Sequence, residues 1–310
     1  MLSRVAENIY WMARYIERAE NTARLLSVSS HLLLDLPRTT PISWASLVSL
    51  ISAEEAFNSR YPSADEASVI HFLAADRDNP SSILSALAMA RENLRTVRDV
   101  VPREAWEQVN TLFLEVRREL VHGIGRSHRH DFLKRVIAGC QQLTGLLAGT
   151  MSHDIGYHFA RTGRNLERAD MTSRILDIRS QNLLPRSADE LTPFENIQWM
   201  SVLKSVSAYQ MYRQHFRIRV RGTEVLRFLL QDFQFPRAIA HCLEEVAGCA
   251  ERMPRSEAVK PHIRALQLQV AEADVAELAN APDDLHRFID GLQLGMSQLH
   301  AQITEIWFRQ

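Results

Sequence analysis

Hydrophobic residues recur along most of the chain at intervals of three and four, the spacing that places side chains on one face of an α-helix. Over residues 3–35 this spacing predicts one long helix with an apolar stripe that includes Ile9 and Ile16, and Pro37 and Pro41 follow its end. No alternating run of Val, Ile and Thr is long enough to predict a sheet. The predicted fold class is therefore all-α.

Local start signals support the later helices. Ser63-Ala64-Asp65-Glu66 has the form of a capping box, and Asn79-Pro80 has the form of an N-cap followed by proline at the first helical position. Thr192-Pro193-Phe194-Glu195 combines both signals after a polar loop at 181–191. The predicted helices after the first span about 43–57, 66–75, 80–100, 102–122, 131–148, 152–180, 193–216, 223–231, 236–252, 257–279 and 283–308.

The two halves of the chain resemble each other. Residues 14–26 align with 164–176 at a constant offset of 150 positions, which places Glu17-Arg18 opposite Glu167-Arg168. Two weaker blocks follow in the same order, at 44–57 with 199–212 and at 72–87 with 228–243. We therefore predict a helical bundle built from two diverged copies of one multi-helix unit, 1–150 and 151–310, in a pseudo-twofold arrangement.

A polar stripe runs along the first helix on roughly the opposite face from the apolar stripe. An exposed ion pair contributes only about 0–1 kcal/mol, so a solvated face has no need to keep the same residues in both copies. Their retention suggests that these side chains have fixed partners. The candidate functional residues are Arg14, Glu17, Arg18, Asn21, Arg24, Arg164, Glu167, Arg168 and Arg174.

Two interpretations of this stripe remain open. In the first, the charges form a buried ionic network that sets how the halves pack, for example with Glu17 paired to an arginine of the other copy, since the planar guanidinium binds carboxylates bidentately. In the second, the arginines bind a carboxylate or phosphate ligand, and Glu17 or Glu167 binds an amine or acts as a base. Spacing alone does not separate the two.

Composition excludes several classes of protein. Hydrophobic residues make up 46% and charged residues 24%, as in globular proteins, and 11 Gly with 11 Pro leave few turns between long helices. The net charge of -1 offers no bulk attraction to nucleic acid or to an acidic membrane. Charges interrupt the N-terminal segment before an apolar run forms, and no stretch of about 18 apolar residues occurs. We expect a cytoplasmic protein without a membrane span.

No metal or cofactor site is predicted. Cys140, Cys242 and Cys249 form no Cys-x-x-Cys pair and are expected to be small buried side chains. Two histidine groups lack convergent ligands, and Gly123-Ile124-Gly125 lacks the Lys-Ser/Thr that follows a phosphate-binding loop. These two groups are His122, His128 and His130, and His153, Asp154 and His158.

A basic run extends from Arg213 to Arg221 and is followed by Arg227. Because Phe216, Ile218 and Val220 alternate with its arginines, the pattern favours the edge of a packed core, where it could serve as a partner-docking surface rather than a nucleic-acid site.

The N-terminal sequence MLSRVAENIYWMARYIERAEN strongly resembles the bacterial alpha-E domain family, which is named for a helical domain with a Glu-Arg motif and is often duplicated in tandem. The resemblance extends over essentially the whole chain. It implies that the protein is encoded beside circularly permuted ATP-grasp ligases and transglutaminase-like proteins, and so has a role in peptide synthesis or modification.

Two hypotheses for the function follow. One is a non-catalytic partner that docks onto the ligase or presents its substrate. The other is an enzyme of peptide or amide chemistry with the Glu-Arg pairs in a cleft between the copies. The second copy has Ala160-Arg161 in place of Tyr10-Trp11, so the two sites need not be equivalent.

Overall fold

The computed structural model describes residues 1–35, 44–121, 123–177, 191–217 and 219–309, and every regular element in them is helical, which confirms the predicted fold class. The first half contains α1 (Ser3–Asp35), α2 (Ala45–Leu50), α3 (Glu54–Asn58), α4 (Glu66–Ala74), α5 (Ile83–Thr96), α6 (Arg103–Val121) and α7 (Arg126–Thr150). The second half contains α8 (Ile155–Asp177), α9 (Leu191–Ser205), α10 (Tyr209–Phe216), α11 (Gly222–Gln231), α12 (Ile239–Ala250), α13 (Lys260–Ala271), α14 (Val275–Asn280) and α15 (Pro282–Ile303). Pro37, Pro41, His122, Ile218 and most of the predicted loop at 181–191 lie outside the described residues.

Two predicted helices are each broken in two at a serine with a left-handed backbone. Ser52 (φ 52) separates α2 from α3, and Ser207 (φ 53) separates α9 from α10. In both turns the next residue, Ala53 or Ala208, donates its N–H to a carbonyl five residues back, which is the bonding of a Schellman helix end. The predictions of unbroken helices at 43–57 and 193–216 were wrong because glycine, the usual signal for this ending, is absent from both.

Other predicted boundaries shift because a different side chain caps the helix. Asp65, not Ser63, is the N-cap of α4 and accepts the N–H of Ser68. Asn79 closes the turn before α5 by accepting the N–H of Ser81, and Ser82 is the N-cap.

Further boundaries also differ from the prediction. Helix α5 ends at Thr96 rather than near 100, α7 begins at Arg126 rather than near 131, and α12 begins at Ile239 rather than near 236. The helix predicted at 257–279 is a 3-10 turn at Ser256–Ala258 followed by α13 and α14, the latter capped by Asp274, and α15 continues as one π-helical turn to Phe308.

Helices α1 and α8 lie side by side at the centre of the molecule and run in the same direction. Tyr10 meets Gly163, and further along both helices Glu17 meets Arg168, so the two helices are parallel. Helix α1 also packs against α5 and α7, whereas α8 also packs against α12 and α15. Residues on almost every side of α1 between Ile9 and Leu26 are therefore buried, including the polar stripe.

Close approach of the two central helices depends on Gly163. A Cβ atom added there would lie 2.3 Å from the carbonyl oxygen of Tyr10, well inside contact distance. Glycine at this position therefore lets the backbones of α1 and α8 touch, and it brings the side chains one and two turns later within bonding distance of each other.

Among the described residues, no helix combines the length and apolar character needed to cross a membrane.

Candidate functional site

The carboxylates of Glu17 on α1 and Glu167 on α8 lie in the contact between the two helices. They are 1% and 2% exposed, so neither is solvated by bulk water. A buried carboxylate keeps its charge only if neighbouring groups replace the lost hydration. The arrangement of the surrounding arginines therefore determines what these two groups can do.

Arginines of α1 bind the carboxylate of Glu167 on α8. Arg18 binds Glu167 bidentately, with its Nε 2.5 Å from Oε1 and its Nη2 3.0 Å from Oε2. The Nε of Arg14 donates to Oε2 of the same group at 2.7 Å. Burial raises the pKa of Glu167, but the guanidinium groups of Arg18 and Arg14 outweigh it and lower the pKa to about 2. Glu167 is therefore ionised at neutral pH.

The opposite pairing occurs at Glu17. Arg168 of α8 binds it bidentately, with Nε 3.1 Å from Oε1 and Nη2 2.8 Å from Oε2, and Arg237 donates from Nη1 to Oε1 at 2.7 Å. Burial again raises the pKa of Glu17, and Arg168 and Arg237 lower it well below the usual range. Glu17 thus pairs with an arginine of the other half, the arrangement given above as an example of the first interpretation.

Two further arginines, Arg24 and Arg174, lie about two helical turns beyond these glutamates and form further contacts between the halves. Arg24 binds Glu20 on its own helix, with Nη2 2.7 Å from Oε1, and donates to the hydroxyl of Ser207. Arg174 binds Asp170 with Nε 2.8 Å from Oδ2 and donates to the hydroxyl of Ser52 at 2.9 Å. Each arginine thus stabilises the strained turn in the other half of the chain.

Arg237, which sequence reasoning missed, links several of these groups. It also donates to Glu20 Oε1 at 2.7 Å and to the side-chain oxygen of Asn21 at 2.8 Å. Its backbone carbonyl accepts the hydroxyl of Thr172, as the carbonyl of Ser81 accepts the hydroxyl of Thr22. The available signal was the alignment of Pro80-Ser81 with Pro236-Arg237, where only the second segment carries a charge.

Arg164 occupies the place equivalent to Arg14 but has a different environment. Its Nε is buried and has no hydrogen-bond partner among the described residues, and burial lowers its pKa. Arg237 and Arg168 already fill the oxygens of Glu17 that Arg164 would otherwise use. Two of the nine candidates therefore have a buried donor without a partner among the described residues, Arg164 at Nε and Asn21 at Nδ2, although Asn21 also accepts from Arg237 through its side-chain oxygen.

Positive charge exceeds negative charge in this central cluster. Its seven arginines are Arg14, Arg18, Arg24, Arg164, Arg168, Arg174 and Arg237, and its four carboxylates are Glu17, Glu20, Glu167 and Asp170. Seven minus four leaves three positive charges among the described residues. Such an excess is the kind of field that attracts an anion.

An aromatic group closes one end of the cluster. The hydroxyl of Tyr10 lies 2.9 Å from Nδ1 of His300 and accepts from Nη1 of Arg14 at 3.3 Å. Burial and the nearby Arg14 charge lower the pKa of His300 to about 4, which keeps the ring neutral near pH 7. At the equivalent place in the second half Arg161 pairs with Glu245 instead, so the two ends differ, as the Ala160-Arg161 sequence indicated.

The other described histidine candidates and Asp154 lie outside this cluster and make local contacts or are buried. Asp154 caps α8 by accepting the N–H groups of Gly156 and Tyr157, and His153 stacks on the Tyr157 ring at 4.0 Å while bonding the carbonyl of Ala148. His158 is buried. His128 lies within 3.0 Å of the Ser127 hydroxyl.

All three cysteines are buried free thiols, which confirms that prediction. Burial raises the pKa of Cys140 and Cys249, and that of Cys242 to about 12.

The basic run forms an exposed surface. Phe216 and Val220 pack inward as expected, and the five arginines are exposed and form no ion pair with any residue that the structure describes. This arginine surface comprises Arg213, Arg217, Arg219, Arg221 and Arg227.

Comparison with known proteins identifies the family. Residues 1–308 match Alpha-E, described as a predicted alpha-helical domain with a conserved ER motif, and Glu17-Arg18 and Glu167-Arg168 are the Glu-Arg pairs that meet at the centre of this structure. Uncharacterised proteins of Mycobacterium bovis and of Mycobacterium tuberculosis strain H37Rv are each 24% identical to the chain over 330 aligned residues, covering 98% of this chain and 36% of the relative. The chain thus spans about a third of the length of these relatives. No solved structure matches it. On the match along nearly its whole length, the chain belongs to the Alpha-E family.

Proposed function

We propose that this protein is a helical accessory protein of a peptide synthesis or modification system, which docks onto an ATP-grasp ligase or presents that ligase's substrate. The observation that carries the proposal is the burial of Glu17 and Glu167, each bound by arginines of the opposite half. A general base must reach the proton that it removes and must change protonation state near the working pH. Carboxylates that are ionised at neutral pH inside a helix contact suit a structural role instead.

The same pairs support a duplicated architecture. In our proposal the units 1–150 and 151–310 are diverged copies related by a pseudo-twofold axis between α1 and α8. Reciprocal Arg18–Glu167 and Arg168–Glu17 pairs favour it, as do the matched donations from Arg24 to Ser207 and from Arg174 to Ser52. The Glu-Arg motif then serves to join the copies.

The arginine surface is the proposed docking site. Five exposed arginines that form no ion pair within the described part of the chain would attract an acidic surface and speed its association. The mycobacterial relatives support a role in company with other segments, because the stretch that they share with this chain is only 36% of their length.

Docking is tested by charge reversal. Purified ATP-grasp ligase of the same system is titrated against wild type, against Arg213→Glu/Arg219→Glu/Arg227→Glu, and against the control Arg77→Glu/Arg118→Glu/Arg264→Glu, whose arginines are also exposed. We expect the first triple variant to bind at least about tenfold more weakly and the control to bind as wild type does. Equal affinity of the two triple variants, or no binding by wild type, would contradict the proposal.

The second candidate function is an enzyme of peptide or amide chemistry, favoured by the excess of positive charge and the free Nε of Arg164. Co-expression of the ligase system with wild type or Glu17→Gln, at a temperature where the variant is folded by circular dichroism, separates the candidates. An accessory protein retains product formation after the change. Loss of product from a folded complex that still binds the ligase would favour the enzyme.

A further inference from the structure

A solvent-open pocket of about 680 Å³ lies between α4, the end of α6 and the start of α7, away from the central arginines. One wall is the face of α4 formed by Ala67, Ile70 and Ala74, and the other wall includes Leu120 and Ile124. Its volume is within the range of small-ligand pockets, and its walls are apolar as in such pockets. This part of the pocket suits an apolar side chain.

The N-terminal end of α7, a helix of 25 residues, also lines the pocket through Gly125, Arg126 and Arg129. Gly125 is the N-cap of α7 and has no side chain that could accept a hydrogen bond. The N–H groups of His128 and Arg129 bond the Gly125 carbonyl, whereas those of Arg126 and Ser127 have no cap among the described residues. A helix N-terminus with free N–H groups carries partial positive charge and favours an anion. This feature alone does not define a site.

A buried arginine supplies the second observation. Arg129 lines the pocket and is 8% exposed, and its Nη1 donates to Oε1 of Glu66 at 2.7 Å. The Nε of Arg129 is buried and has no hydrogen-bond partner among the described residues. Buried N–H donors are nearly always bonded, so a free one beside a pocket points to a missing acceptor.

The charges at this end leave room for a second carboxylate. Glu66 is shared between Arg126 and Arg129, so two guanidinium groups face one acid. The carboxylate of Asp65 is used by the N–H of Ser68 and the hydroxyl of Ser63. A ligand carboxylate would accept hydrogen bonds both from the unpaired donor of Arg129 and from the uncapped N–H groups of α7.

We infer that this pocket binds the C-terminus of a peptide that ends in an apolar residue. The terminal carboxylate lies against Arg129 and the start of α7, and the last side chain lies between Ile70 and Leu120. The exposed residues Ala67 and Gly123 leave one side of the pocket open, which keeps the preceding peptide backbone hydrated. A long alkyl chain would leave methylene groups in water there. This inference does not depend on the proposed docking function.

The test uses the full chain and the tetrapeptide Gly-Gly-Ala-Leu labelled with fluorescein at its N-terminus. Fluorescence anisotropy is expected to show binding of the free acid and at least about tenfold weaker binding of the C-terminal amide, which lacks the charge. Equal binding of acid and amide, or no binding of the acid, overturns the inference. Displacement of the probe by decanoate at a lower concentration than by unlabelled tetrapeptide would identify a fatty-acid site instead.

Variants separate the site from general effects on folding, with circular dichroism melts as the check. Glu66→Gln removes the resident competing carboxylate and is expected to tighten binding of the acid several-fold, an effect that mere structural damage would not produce. Ala67→Trp fills the open side of the pocket and is expected to abolish binding, whereas Ala276→Trp, at another exposed helical alanine, is expected to leave it unchanged. Unchanged or weaker binding by Glu66→Gln, or normal binding by Ala67→Trp, overturns the inference.

Discussion

Single side chains in the central cluster differ greatly in how completely their charge is compensated. The oxygens of Glu17 and Glu167 accept bonds from two arginines each, at distances of 2.5–3.1 Å. Removing one member of such a buried set leaves the other charges without hydration and without a partner. The loss in free energy of unfolding caused by a substitution should therefore depend on which charge remains buried without a partner.

Glu17→Gln keeps the size of the side chain but leaves Arg168 and Arg237 facing a neutral amide. We expect the free energy of unfolding to fall by about 3–5 kcal/mol, the usual range for a broken buried ion pair. Urea denaturation at pH 7 measures it. The control Glu107→Gln breaks an exposed pair with Arg103 and should change stability little. A similar loss in both variants would show that burial does not govern the effect.

Arg14 and Arg164 make a matched comparison, since they are aligned positions of the two similar sequence segments. Arg14→Met removes a donor to Glu167 and should cost about 3–5 kcal/mol. Arg164→Met removes a buried Nε that has no acceptor and should leave the melting temperature unchanged or raise it. Equal destabilisation in the two variants would contradict this distinction.

Packing of whole helices against each other depends on small residues at the contact. Gly163→Ala would place a methyl group 2.3 Å from the carbonyl oxygen of Tyr10 and force α8 away from α1. We expect a loss of about 1–3 kcal/mol or more from overpacking. Gly145→Ala in α7, where an added Cβ meets no atom within 4 Å, should instead stabilise the protein by about 0.5–1 kcal/mol. Thermal unfolding followed by circular dichroism distinguishes the two signs.

The helices themselves were largely predictable, because their apolar spacing is continuous over many turns. The predicted span 3–35 matches α1, and 223–231 lies within one residue of α11. The breaks at Ser52 and Ser207 were not predictable, since serine is no strong turn signal and arginines distant in sequence stabilise both turns. Helix ends thus depended on tertiary contacts where the cap chemistry was ambiguous.

The candidate site was predictable in its members but only partly in its partners. Repetition of the Glu-Arg couple indicated which residues matter, and periodicity placed them on one face of α1. It could not show that this face is buried against α8, nor that Arg237 reaches Glu17 across 220 positions of sequence. The pocket beside Arg129 had no sequence signal, because its walls come from three separate helices.

At the scale of the whole molecule, each half supplies the arginines that pair with the central glutamate of the other half. Fragments 1–150 and 151–310, expressed alone, should lack a stable fold, because each would expose to water the apolar residues of its central helix and would lose the ion pairs that its glutamate forms with the other half. Co-expressed, they should assemble into a one-to-one complex with the circular dichroism spectrum of the intact chain. Size-exclusion chromatography measures both outcomes. A cooperative melt of either fragment alone would argue against this interdependence.

Acid should destabilise the whole molecule through the same carboxylates. The pKa of Glu167 is about 2 in the folded protein against 4.5 for an unperturbed glutamate, so the unfolded state binds the proton first. The stability gained from this group is complete above about pH 4.5 and is lost as the pH falls toward 2. Urea unfolding at pH 7, 4.5, 3 and 2 tests this. Glu167→Gln should show a smaller fall over the same range, and an identical fall would assign the acid sensitivity to other groups.

The exchange of ion pairs between α1 and α8 has a consequence for protein synthesis. The ribosome completes α1 first, at a stage when Arg168 and Arg237 have not yet been translated. Until they emerge, the nascent first half has no cationic partner from α8 for Glu17 and must leave that helix face hydrated. Folding of the first half should therefore be delayed until late in translation. A mutation near residue 237 should then leave the N-terminal half of the nascent chain exposed to proteolysis.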